Sequence, residues 1–184
     1  MRIIAGTAGG RRLDAPSGTA TRPTSDRARE AMFSTLGGLI DLDGARVLDL
    51  YAGSGALGLE ALSRGAVAAD LVDSDPRAAA TIRANAAALG LSGARVHAGT
   101  VARYCERAAE DPTPVDLLLA DPPYDLPTDE LAQVLSKLTE RLSRGAVVVV
   151  ERSSRDPDWV WPTPLEALRV KRYGAGALWY GRRP

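Results

Sequence analysis

The sequence predicts an α/β fold in which helices cover both faces of a mostly parallel β-sheet of seven strands. From residue 46 onward, apolar strand-like runs alternate with helical stretches, which is typical of parallel sheets built from βαβ units. Val147–Val150 is apolar at every position, as expected for a strand that is buried on both faces. Near the end of the chain, two more strand-like runs flank a glycine-containing loop, which indicates an antiparallel hairpin that completes the sheet.

The first part of the chain predicts an extension that precedes this repeating pattern. Residues 2–14 predict a β-hairpin that turns around Gly9-Gly10, and residues 15–25 form a linker rich in proline, serine and threonine. Ser25 is placed to cap a helix. The apolar side of that helix is predicted to contain Ala28, Met32, Leu36 and Ile40. We therefore expect a hairpin and linker over residues 1–22 and a catalytic domain over residues 23–184.

The remaining elements follow in regular order. Strands are predicted near residues 46–50, 69–73, 94–98, 115–120 and 146–151, and in the tail at 167–172 and 177–181. Helices are predicted near residues 56–64, 76–89, 100–109 and 128–142. Since each helix lies between two strands, the strands can run parallel.

Composition and charge limit the classes of protein to consider. The chain has 184 residues, of which 45% are hydrophobic and 25% charged, so one domain with a small extension is expected. No run approaches the length of a membrane span, and the single cysteine, Cys105, excludes an internal disulfide and makes a zinc cluster implausible. We expect a cytoplasmic protein, monomeric, with no metal and no membrane partner.

The net charge is zero, but basic residues are concentrated at the two ends of the chain. Residues 1–22 carry a net charge of +3 and residues 169–184 carry +5, so the segment between them carries −8. Basic surfaces of this kind can bind the phosphates of a nucleic acid. We predict phosphate contacts from Arg2, Arg11, Arg12 and Arg22.

A glycine turn follows the first strand of the alternating region. Gly53, Gly55 and Gly58 have the spacing of a nucleotide-binding turn, which by itself also fits a nicotinamide-dependent oxidoreductase. Asp49 lies at the strand end and can order this turn or bind the cationic amino group of a methionine moiety. An acid there is a poor neighbour for a pyrophosphate, so the pattern favours S-adenosylmethionine over a dinucleotide.

The ends of the next two strands carry further candidate cofactor contacts. Asp73 can accept hydrogen bonds from two ribose hydroxyls, and Asp75 is placed to cap the helix that begins at Pro76. Backbone groups near Thr100, together with its hydroxyl, are candidate contacts for adenine. The predicted cofactor-binding residues in the sheet region are Asp49, Ala52, Gly53, Gly55, Asp73, Ser74, Thr100 and Val101.

The fourth strand is followed by Asp121-Pro122-Pro123-Tyr124, the most informative motif in the chain. The Asp121 carboxylate and the Pro122 carbonyl can accept hydrogen bonds from an exocyclic amine, and Pro123 has no N–H to compete for that carbonyl. Tyr124 can stack on a base, which is worth roughly 1–3 kcal/mol. Together with the glycine turn, the motif predicts methyl transfer from S-adenosylmethionine to an exocyclic base nitrogen.

Three other functions remain as alternatives. Methylation of adenine N6 in DNA or RNA uses the same turn, although the short chain leaves little room for a DNA-recognition domain. An oxidoreductase would leave Asp121–Tyr124 unexplained, and a catalytically silent module would bind RNA without transferring methyl groups. Covalent catalysis is disfavoured, since Cys105 reads as a buried apolar residue and His97 as a strand or loop residue.

Several stretches resemble the bacterial 16S ribosomal RNA guanine-N2 methyltransferases of the RsmD type, which have a Rossmann-like class I methyltransferase fold. The matching stretches are Met1–Gly6, Thr21–Arg27, Asp49–Arg64, Asp121–Tyr124 and Arg172–Gly174. The stretch Thr21–Arg27 is far more specific than the glycine turn. The chain departs from the family at Asp73, where glutamate is usual, and at Thr100, where an acid is common.

The resemblance implies an activity and assigns roles by position. It implies transfer of a methyl group from S-adenosylmethionine to N2 of guanine 966 in 16S rRNA, within the 30S subunit or an assembly intermediate. Asp49, Gly53 and Gly55 would hold the methionine part, Asp73 the ribose, and Asp121, Pro122 and Tyr124 the guanine. Arg22–Arg27 would close over the cofactor, with Thr24 and Arg27 as contacts.

Overall fold

The computed structural model describes residues 1–16, 26–108 and 113–184. Thr24 and Arg22, together with the predicted cap Ser25, lie outside these ranges. The helices in the described ranges are α1 (Asp26–Leu36), α2 (Ala56–Ser63), α3 (Pro76–Leu89), α4 (Val101–Ala108) and α5 (Thr128–Leu138). The strands are β1 (Arg46–Leu50), β2 (Ala68–Asp73), β3 (Ala94–Ala98), β4 (Val115–Ala120), β5 (Leu142–Ser153), β6 (Glu166–Tyr173) and β7 (Gly176–Arg182).

The strands of the described ranges form one seven-stranded sheet in the order β3-β2-β1-β4-β5-β7-β6. The strands β1 to β5 run parallel, whereas β7 is antiparallel to both of its neighbours. The predicted fold, including the closing hairpin, is confirmed. The strand order reverses between β1 and β4, and ligands of open α/β sheets bind beyond the carboxyl ends of the strands at such a point.

Two hydrophobic clusters lie on opposite faces of the sheet. Helices α1, α2 and α3 pack on one face and α4 and α5 on the other. Val147 and Val149 belong to the first cluster, and Val148 and Val150 belong to the second. This division explains why β5 is continuously apolar, since successive side chains of a strand point to opposite faces.

Helix α1 differs from the prediction at its C-terminal end. It ends at Leu36, where Gly37-Gly38 follows, so the prediction that Ile40 lies on its apolar side is wrong. Glycine is the least favourable residue after proline for continuing a helix, which accounts for the early end. Met32, Phe33 and Leu36 are the buried apolar residues of this helix.

The N-terminal extension packs along α2. Arg2 and Arg12 form a single antiparallel bridge, so the predicted hairpin is present in a short form. Ile3, Ala8 and Leu13 are buried in the cluster that contains the apolar side of α1. The extension is therefore part of the main hydrophobic core, and its position is fixed by burial as well as by backbone hydrogen bonds.

A buried carboxylate fixes the extension to α2. Glu60 is fully buried and accepts hydrogen bonds from the N–H groups of Ile4 (2.7 Å) and Ala5 (3.1 Å). The Nε of Arg64 lies 2.7 Å from Oε1 of Glu60, and Nη1 of the buried Arg29 lies 3.8 Å from Oε2. A charge can stay buried only when it is paired and hydrogen-bonded, so this cluster stabilises one position of the extension.

No helix in residues 1–16, 26–108 or 113–184 is long and apolar enough to span a membrane.

Two glycines of the extension provide a matched test of its packing. Gly6 and Gly10 have φ angles of 82° and 81°, so alanine is strained at both positions. A Cβ at Gly6 would lie 1.7 Å from the Ser63 carbonyl oxygen, whereas a Cβ at Gly10 would have no heavy atom within 4 Å. We expect Gly10→Ala to lower the free energy of unfolding by roughly 1–2 kcal/mol and Gly6→Ala to lower it by clearly more. Urea unfolding measures both, and equal losses would contradict this packing.

Candidate active site

The sheet brings the glycine turn and the Asp121–Tyr124 motif together. In the register between β1 and β4, Leu50 is paired with Ala120. The next residues, Tyr51 and Asp121, therefore leave neighbouring strands at the same level, and the Asp121 N–H donates to the Leu50 carbonyl at 3.5 Å. Since neighbouring strands lie about 4.8 Å apart, both motifs border one crevice at the point where the strand order reverses.

The glycine turn is built from residues in the left-handed region. Gly53 and Gly55 have φ angles of 57° and 79°, which glycine adopts without steric cost. The Ala52 N–H donates to the Val72 carbonyl at 3.0 Å, which ties the turn to β2. Helix α2 then begins at Ala56 after Gly55, which has no side chain to cap it, and the Gly58 N–H of its first turn donates to Asp49 instead.

Tyr51 is a site residue that the motif analysis did not single out. It is the non-glycine residue with positive φ (61°) in the described ranges, and it lies at the end of β1. A bulky residue in this conformation is strained, and such strain is concentrated at functional sites. Burial and the nearby Glu130 raise the pKa of Tyr51 to about 12, so its phenol stays neutral. Backbone strain cannot be read from the sequence, which explains the omission.

Asp49 lies beneath the start of α2. Its Oδ2 accepts a hydrogen bond from the Gly58 N–H at 2.8 Å, and its side chain is buried. A Cβ at Gly58 would lie 2.8 Å from Leu71 Cδ2 and 3.2 Å from Asp49 Oδ2, so any other residue there would require the buried Leu71 side chain to shift. The arrangement corresponds to the first of the two roles expected for Asp49, which is ordering the glycine turn.

The pKa of the Asp49 carboxyl lies near neutral pH. Burial raises the pKa of this carboxyl to about 7, the Gly58 hydrogen bond partly opposes that rise, and the charges of Asp121 and Asp73 add to it. These three carboxyl groups belong to β1, to β2 and to the residue after β4. The crevice is therefore acidic, and a cationic ligand would favour the ionised form of Asp49.

Asp73 connects the glycine turn to the end of β2. Its Oδ2 accepts from the Gly53 N–H and its Oδ1 from the Asp75 N–H, both at 2.8 Å. Each carboxylate oxygen retains a further lone pair for a ribose hydroxyl. The predicted cap is confirmed, since Asp75 accepts from the Arg77 N–H and Pro76 is the first residue of α3. Ser74 lies between these two acids and is exposed.

The end of β3 lies beside the end of β2. The Gly99 N–H donates to the Asp73 carbonyl at 2.9 Å, so the two predicted cofactor segments are adjacent. The Thr100 hydroxyl oxygen accepts from the Arg103 N–H at 3.2 Å, which makes it a cap of α4. That hydroxyl can still donate its own proton to a ligand. Val101 is buried in the core beneath.

The segment after β4 presents its polar groups at the surface of the crevice. Pro122 is buried, Pro123 is exposed, and the Tyr124 side chain is 55% exposed. The Leu126 N–H donates to the Pro123 carbonyl at 3.0 Å, which closes a turn around Tyr124. Among the described residues no N–H or side chain donates to the Pro122 carbonyl, which leaves it available as an acceptor.

Asn85 is a second residue that sequence reasoning missed. Its side chain is buried on α3 and makes reciprocal hydrogen bonds with the backbone of Asp14 (2.9 and 3.0 Å). The same amide donates to the Ser54 carbonyl of the glycine turn at 3.0 Å. Asn85 thus links the extension to the cofactor end of the site. The 71 residues that separate it from Asp14 hide this contact from any local pattern.

The basic residues predicted to bind phosphate differ in their surroundings. The Arg2 side chain is 66% exposed and lies 3.7 Å from Asp26, and Arg12 is exposed. Arg27, which is predicted to contact the cofactor, is exposed on α1. The Arg11 guanidinium donates to the carbonyls of Leu89 and Ala88, where it caps the C-terminal end of α3.

Arg182 and Arg183, at the end of the basic C-terminal tail, lie at the opposite end of the sheet from the crevice. Arg182 donates to the Leu39 carbonyl at 2.9 Å, and Arg183 donates to the carbonyls of Glu140 and Leu142. Arg182 is paired with Val147 near the amino end of β5, whereas the candidate site lies beyond the carboxyl ends of the strands. These two arginines stabilise the chain terminus and are remote from the motif.

Cys105 and His97 take the structural roles that the sequence indicates. Cys105 is a buried free thiol in α4, and its pKa is raised by burial. His97 lies in β3, with its Nε2 2.9 Å from Asp70 Oδ1 and its ring against Tyr104. Although burial opposes it, the pairing with His97 lowers the pKa of Asp70. In the described parts of the chain, no three His, Cys, Asp or Glu side chains are grouped to hold a metal ion.

Comparisons with known proteins agree with this geometry. A family model described as conserved hypothetical protein 95 matches residues 1–182. The chain is similar to the putative rRNA methyltransferase YlbH of Bacillus subtilis, with 43% identity over the whole of both chains. It is also similar to ribosomal RNA small subunit methyltransferase D of Haemophilus influenzae, with 32% identity over 95% of this chain and 89% of the relative. The chain belongs to the RsmD methyltransferase family.

The fold comparison gives the same result for this RsmD family member. The solved structure of the putative methyltransferase YhhF of Escherichia coli superposes with a TM-score of 0.82 and 33% identity, over 100% of this chain and 97% of that one. The Rossmann-like class I methyltransferase fold expected from the resemblance is therefore confirmed.

The raised pKa of Asp49 predicts a dependence of stability on pH. The folded state binds this proton more tightly than the unfolded chain, where the pKa is near 3.8, so the contribution of Asp49 to the free energy of unfolding falls as the pH rises from about 4 to about 7. Asp49→Asn keeps an oxygen acceptor for Gly58 and should remove that slope. Urea unfolding of both proteins near pH 5 and near pH 8 measures the difference.

Glu140→Gln is the matched control, because that carboxylate is 89% exposed. A slope that is the same in the wild type and Asp49→Asn would contradict the assignment.

Proposed function

We propose that this protein transfers a methyl group from S-adenosylmethionine to the exocyclic N2 amine of a guanine in small-subunit ribosomal RNA. One observation carries the proposal: the glycine turn and Asp121 leave two paired strands side by side where the strand order reverses. The names of the relatives support small-subunit rRNA as the substrate. The motifs shared with the RsmD type support guanine N2 as the target atom.

The residues of the crevice fit S-adenosylmethionine, which supplies an electrophilic methyl group on a sulfonium ion. A cationic cofactor suits a crevice bordered by Asp49, Asp73 and Asp121, where burial and, to a smaller extent, the two other acids raise the pKa of Asp49. Gly53 and Gly55 would allow close approach of the methionine part. Asp73 would hold the ribose, and the segment that contains Ser74, Thr100 and Val101 would border the adenine.

The Asp121–Tyr124 segment would orient the target amine. The exocyclic nitrogen of guanine is a poor nucleophile, because its lone pair is delocalised into the ring. The Asp121 carboxylate and the Pro122 carbonyl would each accept a hydrogen bond from one N–H group of the amine. These bonds favour the pyramidal form of the nitrogen, in which its lone pair can attack. Tyr124 would stack on the base. Catalysis is then chiefly positioning, since correct orientation of two reactants can supply roughly 7–11 kcal/mol of the barrier.

The target guanine must leave its stack to reach this crevice. An unpaired nucleotide in an RNA loop can be splayed out at low cost, which favours rRNA within the 30S subunit or an assembly intermediate. Exposed Arg2 and Arg12 would contact flanking phosphates, and such contacts position the RNA without reading its sequence. Arg27 would contact the cofactor. We propose that the monomer performs the reaction.

Asp121 is the residue whose replacement tests the reaction most directly. Asp121→Ala removes one acceptor for the amine, so we expect methyl transfer to small subunits to fall by about 100-fold or more. Affinity for S-adenosylmethionine, measured by calorimetry, should change little. Asp125→Ala is the matched control, since Asp125 is an exposed acid in the same turn. Wild-type turnover by Asp121→Ala would contradict the orienting role.

Arg11 and Arg12 separate a phosphate contact from a structural one. Arg12 is exposed, so Arg12→Gln should weaken RNA binding and reduce the salt dependence of log K by about one unit of slope. Arg11→Gln should change the slope less, because the Arg11 guanidinium is engaged with the carbonyls at the end of α3, and should instead lower the melting temperature. RNA binding at several salt concentrations measures both slopes. An unchanged slope for Arg12→Gln would exclude Arg12 from the phosphate contacts.

A further inference from the structure

Arg152 is a buried arginine that no motif accounts for. It lies beside residues 121–127, the segment between β4 and α5 that is here called the base-binding segment. It lies near the carboxyl end of β5 with 6% of its surface exposed. Its Nη1 donates to the Leu126 carbonyl at 2.9 Å, and its Nη2 lies 3.4 Å from the Thr128 hydroxyl. On the other side, its Nε donates to Asp156 at 3.1 Å. One guanidinium thus joins the loop after β4 to the loop after β5.

Proline limits the backbone hydrogen bonds that the base-binding segment can donate. Pro122, Pro123 and Pro127 have no N–H group, so three of the residues between β4 and α5 cannot donate from the backbone. The segment closes locally through the Leu126 N–H and the Pro123 carbonyl. The bond from Arg152 to the Leu126 carbonyl holds the end of this same turn from outside, across 26 residues of sequence.

The position of the Arg152 side chain near the N-terminus of α5 is electrostatically unfavourable for a cation. Helix α5 begins at Thr128 with no side-chain cap, and the N-terminus of a helix disfavours a nearby cation. Asp156, together with Asp129 and Glu130 in the first turn of α5, offsets that cost. A planar guanidinium can reach three acceptors in fixed directions, which neither lysine nor a neutral side chain can reproduce.

We propose that Arg152 is a positioning residue for the target base. By holding the Leu126 carbonyl, Arg152 fixes the turn from Pro123 to Leu126 and therefore the plane on which Tyr124 receives the base. Through Asp156 it also fixes the loop that borders the same side of the crevice. This inference rests on the proposed function, and it concerns the alignment of the amine rather than the binding of the cofactor, which lies beyond β1, β2 and β3.

Single-turnover methyl transfer to small subunits tests the proposal. With saturating S-adenosylmethionine, we expect Arg152→Gln to lower the rate by roughly 10- to 100-fold, since a displacement of about 1 Å has effects of this size. The dissociation constant for S-adenosylmethionine should stay within about twofold of the wild-type value. Arg152→Lys keeps the charge and most of the volume but lacks the fork, so it should restore only part of the rate. Arg144→Gln is the matched control, because Arg144 is an exposed arginine at the opposite end of β5.

The outcomes separate this inference from the proposed function. If the wild type transfers methyl groups and Arg152→Lys does so at the same rate, the positioning role is overturned. The charge of the side chain alone would then account for its effect. A rate loss matched by an equal loss of cofactor affinity would also overturn it, because that result indicates general loosening of the fold. If Arg152→Gln fails to fold, Arg152→Lys decides. No transfer by the wild type with any small subunit would instead contradict the proposed function.

Discussion

Strands β1 and β4 are hydrogen-bonded neighbours that end at the same level, and the other features of the candidate site depend on that pairing. Leu50 faces Ala120 in the register, so the chain leaves the sheet at Tyr51 and at Asp121 side by side. A shift of one residue would turn every side chain of one strand to the opposite face. Such a shift would exchange Leu117 and Leu118 between the two hydrophobic clusters, and the close packing of both clusters opposes it. Core packing thereby sets the geometry of the crevice.

The cofactor end of the site is held by carboxylates that bind backbone N–H groups. Asp49 accepts from Gly58 at the start of α2, and Asp73 accepts from Gly53 in the turn. These bonds keep the glycine turn in its left-handed conformation and place negative charge around one crevice. Burial raises the pKa of Asp49, and repulsion from Asp121 and Asp73 adds to that rise. A cationic ligand would relieve this repulsion. A ligand without positive charge would not.

Much of the fold could be predicted because its signals are local. The strands from β1 to β4 begin and end within a residue of the predicted bounds, since apolar runs and glycine turns are properties of short segments. The strand order could not be predicted from local signals, because the pairing of β1 with β4 joins segments about 70 residues apart. The contact of Arg11 with the end of α3 could not be predicted for a similar reason. Its charge suggested phosphate, whereas its guanidinium donates to the end of α3, 78 residues away.

The residues of the candidate site also fall into two groups, those that a local pattern could identify and those that it could not. Asp49, Asp73 and Asp121 could be selected from the sequence, because each lies within one residue of the carboxyl end of a strand. Tyr51, Asn85 and Arg152 could not, because their importance lies in backbone strain or in contacts between distant segments. Thr100 was selected for its hydroxyl, and the structure adds that this oxygen also caps α4.

The most direct test of the account is to identify the methylated nucleoside. Small subunits from a strain that lacks this gene would be incubated with the protein and S-adenosylmethionine carrying a tritiated methyl group, and the rRNA would then be digested to nucleosides. The account predicts label in N2-methylguanosine. Label in N6-methyladenosine would keep the chemistry of the Asp121–Tyr124 turn and contradict the target, and no label despite cofactor binding would contradict methylation of this rRNA.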